Sequence, residues 1–389
     1  MTNTEKLLIE ILRAFVNDRK PVIETEYNAE ALYELAKSQS ITGIVSYVLH
    51  KYGREDILIG DKRLSDAYDK TVAQLIRKDV ETQMLFGRLT AADIPHITFK
   101  GMVIKDCYPV PELRTFGDID VIIREEDRKK SHELMLAEGF KGEAMDGGVV
   151  YGYKRGKEFY ELHSTMNSER TKLSDFMADY WSRTNLRSGL TYEFEKNFHF
   201  AYLISHIEKH VNCSNAGVRL YLDIALFLKK YRDELDLEKV RGILKDCKLE
   251  KFYDTVLYLC YRWFGTEKLY EQELSDELYE EFCRFTLRGG TFGVQNAGAD
   301  SEVRRAMSNS GEVSKVSLII RHVFPPYREV RRMYPFFDGK PYLLPLSWVI
   351  HPFAAAKRSG LKNLKRVANA DINEAKNEKE LLRQVGSER

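Results

Sequence analysis

One stretch of the sequence, residues 97–123, constrains the fold more than any other. Its apolar ends are typical of β-strands, and between them a Lys100-Gly101 turn leads into a short helical pattern and a proline-rich loop. Asp118 and Asp120 stand two residues apart at the second strand, so in an extended chain both carboxylates leave the same face. The stretch therefore predicts two strands of one sheet with a pair of acids on its surface.

This pair of acids has two interpretations. Solvated carboxylates at a strand end are the simpler one, yet two like charges on one face repel each other and a divalent cation reverses that repulsion. Hard oxygen ligands suit Mg²⁺ or Mn²⁺. We favour a metal site, because Asp118 and Asp120 follow an apolar strand, a Lys-Gly turn and Arg114. Arg114 is suited either to hold one of the acids by a bidentate pair or to contact a triphosphate.

The segments F-K-G-M-V at 99–103 and Y-P-V-P-E-L-R-T-F-G-D-I-D-V-I-I at 108–123 resemble the nucleotidyltransferase superfamily with the DNA polymerase β-like fold. More narrowly, they resemble the bacterial family of uncharacterised nucleotidyltransferases. The resemblance implies an α/β (α+β) core with a small mixed sheet, Mg²⁺ or Mn²⁺ as cofactor, and an NTP such as ATP as substrate. It also implies a third carboxylate on a later strand. Lys100-Gly101 stands here where the superfamily usually carries Gly-Ser.

Residues 149–163 predict a hairpin, and Glu161 and His163 share one face of its second strand. Given the resemblance, Glu161 is the candidate for the third carboxylate, although a surface glutamate would show the same pattern. His163 either orients a carboxylate, contacts substrate or is a hydrogen-bonded, half-buried histidine. Lys100 and Gly101 are candidates for contact with the nucleotide phosphates, because a lysine supplies a point charge and glycine allows backbone approach.

Helical periodicity dominates the rest of the chain. A long amphipathic helix is predicted over 64–89, with Ile76, Val80 and Met84 on its apolar stripe. His206 and His210 lie one turn apart on a later helix, a spacing that can hold zinc. No further zinc ligand is evident nearby, so we interpret these histidines as a helix face that contacts the nucleotide or the acceptor.

This pattern predicts a four-part organisation of the chain. The parts are a helical lead-in, the nucleotidyltransferase α/β core, a mainly α-helical domain and a charged C-terminal tail, at residues 1–90, 91–168, 169–370 and 371–389.

Composition sets broad limits on partners and compartment. The formal charge is +1, so global charge gives no argument for nucleic acid. Five scattered cysteines and a start without a signal-peptide pattern predict a cytoplasmic protein without a cysteine zinc site. The longest C-terminal apolar run is too short to span a bilayer. Residues 321–356 are basic and aromatic, which leaves contact with a membrane surface or nucleic acid open beside a self-covering helical region.

The sequence therefore predicts a metal-dependent nucleotidyltransferase that moves a nucleoside monophosphate from an NTP to an acceptor, with release of pyrophosphate. Asp118, Asp120 and Glu161 are the predicted catalytic and metal-binding residues. The predicted nucleotide contacts are Lys100, Gly101, Arg114, His163, His206 and His210. Two alternatives stay open, a metal-dependent phosphotransferase or phosphohydrolase and an inactive nucleotide-binding regulatory module. The pattern leaves the acceptor and the oligomeric state open.

Overall fold

The computed structural model describes residues 1–23, 26–145, 150–166, 176–213, 216–290, 320, 323–337, 339–359 and 371–387. Its helices are α1 Asn3–Asn17, α2 Ala29–Ser38, α3 Thr42–Lys51, α4 Glu55–Leu58, α5 Lys62–Ser65, α6 Ala67–Ala91, α7 Gly101–Ile104, α8 Arg128–Ala137, α9 Lys196–Cys213, α10 Val218–Tyr231, α11 Leu237–Asp246, α12 Glu250–Phe264, α13 Asp276–Gly289, α14 Tyr327–Met333, α15 Leu344–Ser359 and α16 Ile372–Gln384. Its strands are β1 His96–Thr98, β2 Ile119–Ile123, β3 Lys141–Met145, β4 Val150–Arg155, β5 Glu158–His163, β6 Thr184–Ser188 and β7 Thr191–Phe194.

Local sequence signals begin several of these elements. Thr2 caps α1 through a reciprocal capping box with Glu5, and Asn28 caps α2 by accepting a hydrogen bond from the Ala31 backbone. Gly189 has a φ of 57° in the tight turn between β6 and β7, a left-handed conformation that glycine adopts without a Cβ penalty. These signals fix where elements start and turn, while packing decides which faces they bury.

The strands form one mixed seven-stranded sheet in the order β3-β4-β5-β2-β1-β7-β6. At its centre β2 pairs in parallel with β5 and antiparallel with β1, and β1 pairs in parallel with β7. This arrangement confirms the predicted α/β class with a mixed sheet. The sheet is larger than the small core predicted, and it continues past the predicted domain boundary at residue 168.

Residues 184–194 correct the prediction that the chain is helical from about residue 170. They form the hairpin of β6 and β7, and β7 completes one side of the sheet by pairing with β1. Such short strands carry too few residues for a period of two to be distinguished by sequence. Their conformation is decided by the hydrogen bonds that β1 offers, which come from a segment about a hundred residues earlier.

Each face of the sheet supports its own apolar cluster. The smaller cluster contains Val121 of β2, Phe86 of α6 and Tyr160 of β5. The larger contains Ile97 and Ile122 from the opposite face and joins the N-terminal helices to α9–α13. Because α1 packs directly against α12, the helical lead-in and the C-terminal helices share this larger core. The four-part domain division stays a prediction.

Two helices differ from the sequence prediction in how they are buried. Helix α16, expected as part of a charged tail, buries Leu381 and Leu382 in the larger core. Helix α6 leaves Ile76, Val80 and Met84 51%, 56% and 51% exposed, so its predicted apolar stripe extends beyond its packed face. No helix among the described residues is long and apolar enough to cross a membrane.

Candidate active site

Parallel pairing of β2 and β5 brings two predicted acids together. Asp120 lies in register with Glu161, and both side chains leave the face of the sheet that is covered by the larger core. His163, two residues further along β5, places its Nε2 atom 2.9 Å from Asp120 Oδ1 and 3.7 Å from Glu161 Oε2. Ligand atoms of these three side chains all lie within 4.8 Å of one another. They form the only such group of potential metal ligands in the described part of the chain.

Asp118 lies at the margin of this group. It immediately precedes β2, is partly exposed, and contributes no atom to the close cluster. Its negative charge nevertheless acts on the site, because it is one of the charges that raise the pKa of Glu161. The structure thus brings Asp120 and Glu161 together as predicted, with His163 as the third member. The role of Asp118 as a metal ligand stays a prediction.

Glu161 carries the most informative electrostatic signal of the cluster. Burial and then the neighbouring charges of Asp120 and Asp118 raise its pKa to about 7, against the opposing effect of Lys100. A carboxyl with such a pKa changes its protonation state near neutrality. The shift has the sign expected where several acids converge without enough positive charge to balance them.

Lys100 lies directly beside these acids. Its Nζ donates to Asp120 Oδ1 at 2.8 Å, and its backbone has a φ of 52° in the turn that follows β1. Burial alone would lower the pKa of Lys100, but attraction to Asp120 raises it. Burial would likewise raise the pKa of Asp120, which the ion pair with Lys100 and the hydrogen bond with His163 instead lower. Lys100 therefore keeps Asp120 ionised when no metal ion is bound.

Gly101 also has a role in packing. A Cβ atom at this position would lie 2.8 Å from the Nη1 atom of Arg114 and 3.2 Å from the Phe116 ring carbon Cγ. Glycine thus leaves room for the guanidinium group of Arg114. The predicted contact of Gly101 with the nucleotide is not tested by this packing.

Arg114 forms a buried ion pair away from the acid cluster. Its Nη2 donates to Asp223 Oδ2 at 2.6 Å and its Nε donates to Asp223 Oδ1 at 3.2 Å, while the Tyr108 hydroxyl donates to Oδ1 at 2.7 Å. Asp223 therefore pairs with Arg114, and not with Arg219 one turn away. Arg219 donates instead to the Thr115 carbonyl. A contact between Arg114 and a nucleotide stays a prediction.

Helix α9 covers the acid cluster with a row of rings. Phe99 contacts Tyr202, Tyr202 stacks on His206, and His206 meets His210, with ring centroids 5.6, 5.7 and 4.4 Å apart. Burial, and then nearby positive charge, lowers the pKa of His210 to about 4, and burial, followed by the neighbouring His210, lowers the pKa of His206 well below its usual value. Both imidazoles are therefore neutral at pH 7. No third ligand among the described residues joins them in a zinc site.

The sequence of this chain matches one known protein family. Residues 25–265 match the family described as uncharacterised nucleotidyltransferase, which covers more than half of the chain and every predicted site residue. The chain belongs to the uncharacterised nucleotidyltransferase family. This confirms the family expected from the F-K-G-M-V and D-I-D-V-I-I segments. No curated protein matches the chain, and no solved structure matches it either.

In this family member, two residues near the site were missed by the sequence prediction. Tyr202 stands four residues before His206, so the same helical spacing that linked the two histidines would have included it. Arg219 is only 7% exposed, and burial followed by repulsion from Arg114 lowers its pKa to about 10. No local pattern predicts this position of Arg219, because its neighbours come from the loop that precedes β2.

Proposed function

We propose that this protein transfers a nucleoside monophosphate from an NTP to an acceptor in a metal-dependent reaction that releases pyrophosphate. The observation that carries the proposal is the register of β2 and β5, which sets Asp120 opposite Glu161 with His163 beside both. Membership of a nucleotidyltransferase family supports the same reaction class. The nature of the acceptor is left open.

The donor set fits a divalent cation. Two carboxylates and one imidazole converge, and the raised pKa of Glu161 reflects its burial and, after that, the charges of Asp120 and Asp118, which a cation would balance. Asp120 and Glu161 would hold Mg²⁺ or Mn²⁺, with Asp118 as the further proposed ligand and His163 orienting Asp120. When bound, the metal would neutralise charge on the α-phosphate and the leaving pyrophosphate and lower the pKa of the acceptor hydroxyl.

Residues of the chain itself supply the remaining roles. Lys100, already beside Asp120, is placed to turn its ammonium group toward the β- and γ-phosphates of the NTP. Glu161 would be ionised once the metal is bound, so that its carboxylate could also accept the proton of the acceptor hydroxyl. The rings of Tyr202 and His206 offer a face on which a nucleobase can stack, and neutral His210 extends that face.

One experiment tests the reaction class. The protein is incubated with α-labelled NTPs, Mg²⁺ or Mn²⁺ and a cell extract, and both the labelled product and the released phosphate are identified. Labelled acceptor together with pyrophosphate supports nucleotidyl transfer. Orthophosphate release, or label that reaches the acceptor from a γ-labelled NTP in a parallel reaction and not from the α-labelled NTP, contradicts it and supports a phosphotransferase or phosphohydrolase.

The ion pair between Lys100 and Asp120 supports a second candidate, a nucleotide-binding module without turnover. In such a module the ammonium group would permanently take the place of the cation at Asp120. Titration with Mn²⁺ distinguishes the two candidates, because an active site must bind the cation when NTP is present. NTP binding that is unchanged by Mn²⁺ and without product would favour the inactive module.

A further inference from the structure

A separate surface lies near the C-terminus, where α14 and α15 fold against each other. Trp348 Nε1 of α15 donates to the Pro325 carbonyl at 2.9 Å, and the Tyr334 hydroxyl lies 2.8 Å from His351 Nδ1. Val330 is completely buried beneath these contacts. The side of α15 that carries Trp348 and His351 is therefore its packed side.

The other side of α15 carries an apolar row that faces solvent. We call it the exposed row, and it consists of Leu346, Val349 and Ile350, which are 47%, 62% and 41% exposed, together with Tyr342 from the 3-10 turn just before α15, which is 73% exposed. Positions 346, 349 and 350 follow the i, i+3, i+4 spacing of a single helical side. Clustered apolar groups of this kind on a surface mark an interaction site more often than single exposed residues do.

The sequence segment that contains the exposed row is more basic than the whole chain. Residues 320–359 contain seven lysine and arginine residues and two acidic residues, a net charge of +5, whereas the complete chain carries +1. Lys340 stands beside the row, with its Nζ 4.1 Å from the centroid of the Phe336 ring, and Phe336 is itself 65% exposed. The exposed row therefore belongs to a sequence segment with a net positive charge.

We propose that the exposed row docks on an anionic lipid bilayer, with its aliphatic side chains in the boundary between headgroups and acyl chains. Charge complementarity selects this occupant, because a segment with a net charge of +5 that contains an amphipathic helix favours anionic headgroups. A second copy of the chain would bring two segments of charge +5 together, which opposes pairing. Single-stranded nucleic acid is recognised by stacking on aromatic rings, whereas three of the four residues in the row are aliphatic.

Vesicle sedimentation tests this proposal on the full chain. The protein is mixed with vesicles of phosphatidylcholine alone or with about one third phosphatidylglycerol, at low and at high salt. We expect binding to the anionic vesicles only, and weaker binding at high salt. The double variant Val349→Ser, Ile350→Ser removes apolar area from the row and should lower partitioning at least about tenfold. Lys340→Glu should lower it about fivefold or more.

A matched control comes from α6. The double variant Ile76→Ser, Val80→Ser changes two side chains of similar exposure outside the basic segment, and should bind vesicles like the unchanged protein. Circular dichroism confirms that each variant is folded. Equal loss in both double variants, or no binding to anionic vesicles, would overturn the proposal. It would also be overturned if the exposed row proved to support a dimer by light scattering, or to bind a single-stranded oligonucleotide in preference to vesicles. The test does not use the transfer reaction, so it stands apart from the proposed function.

Discussion

Two buried ion pairs meet at the Lys100-Gly101 turn, and they differ in what surrounds them. The carboxylate of Asp223 is surrounded by donors, because Arg114 contacts both oxygens and Tyr108 contacts one of them. The carboxylate of Asp120 contacts Lys100 and His163 through the same oxygen, but it also lies in register with Glu161, a second acid whose pKa is raised by burial and by the charge of Asp120. One pair is balanced and the other is not.

This difference assigns a structural role to one ion pair and a proposed role in metal binding to the other, although both belong to one sequence motif. A balanced buried pair holds the loop before β2 against α10, and breaking it leaves an uncompensated charge. An unbalanced pair beside a third acid costs stability and gains from a cation. Arg114 and Lys100 look equivalent as basic residues near a D-x-D motif, yet their partners give them different roles.

The largest expected effect is at the unbalanced pair. Asp120→Asn should reduce nucleotidyl transfer by about 10⁴-fold, about 5.5 kcal/mol in the activation barrier, because the cation loses a central ligand. Loss of label transfer and of Mn²⁺ binding by titration calorimetry would be measured together. Asp118→Asn should give a comparable loss if the predicted second acid also holds metal. Full activity in Asp120→Asn would refute the metal site.

The balanced pair should respond in stability instead. Asp223→Ala leaves the Arg114 guanidinium buried without its carboxylate and should lower the free energy of unfolding by about 3–5 kcal/mol. Urea denaturation measures this change. Glu380→Ala serves as the control, because its pair with Arg383 is exposed to solvent and contributes little to stability. A loss no larger than that of the control would mean that Arg114 and Asp223 do not support the fold.

Glu161 should make the stability of the protein depend on pH. The folded protein keeps the Glu161 proton up to a pH of about 7, whereas the unfolded chain releases it near the usual pKa of 4.5. Because the folded state binds more protons in that window, stability should fall as pH rises from about 4.5 to about 7. Glu161→Gln removes this loss, on the order of 2–3 kcal/mol at pH 8.

Thermal melts from pH 4 to pH 8 measure the Glu161 effect. The control is Glu158→Gln on the same strand, which faces Arg155 and should keep the slope of the unchanged protein. Saturating Mn²⁺ should also flatten the slope by favouring the ionised carboxyl. The assignment of the slope to Glu161 fails if Glu161→Gln melts with the same pH dependence as the unchanged protein.

The smallest of these effects concerns Lys100. Lys100→Ala should weaken binding of ATP by about one to two decades, or 1.5–3 kcal/mol, and binding of AMP hardly at all, because the ammonium is proposed to contact the outer phosphates. Lys100→Arg should restore only part of the loss. Calorimetric titration gives both affinities, and Lys105→Ala is the control because Lys105 pairs with Asp79 instead.

Lys100 has a competing role that the same variants distinguish. In the structure its ammonium group already pairs with Asp120, so its contribution can be confined to holding that carboxylate in place. Lys100→Ala would then bind ATP normally in saturating Mg²⁺ and only melt at a lower temperature. Such a result would mean that both ion pairs have only a structural role.

Residues close together in the sequence set much of the fold and part of the site. The strand, turn and helix around Lys100, the position of the β5 hairpin strand and the helix caps at Thr2 and Asn28 all follow from local pattern. The family, the α/β class and the acids Asp120 and Glu161 as neighbours were also predictable. These features depend on side-chain alternation and on a motif spanning few residues, which the sequence displays directly.

Tertiary structure alone decided the partners of the charged groups. The pairing of Arg114 with Asp223 joins residues 109 positions apart, and the hairpin of β6 and β7 acquires its place only when β1 is beside it. The absence of a side chain at Gly101 likewise leaves room for the guanidinium group of Arg114, which belongs to the following loop. Sequence spacing determines which groups share a face, but the energy of a buried charge depends on every element packed around it. The sequence therefore identified both Lys100 and Arg114 as basic residues of the motif. Only the tertiary structure shows that Lys100 pairs with Asp120 and that Arg114 pairs with Asp223.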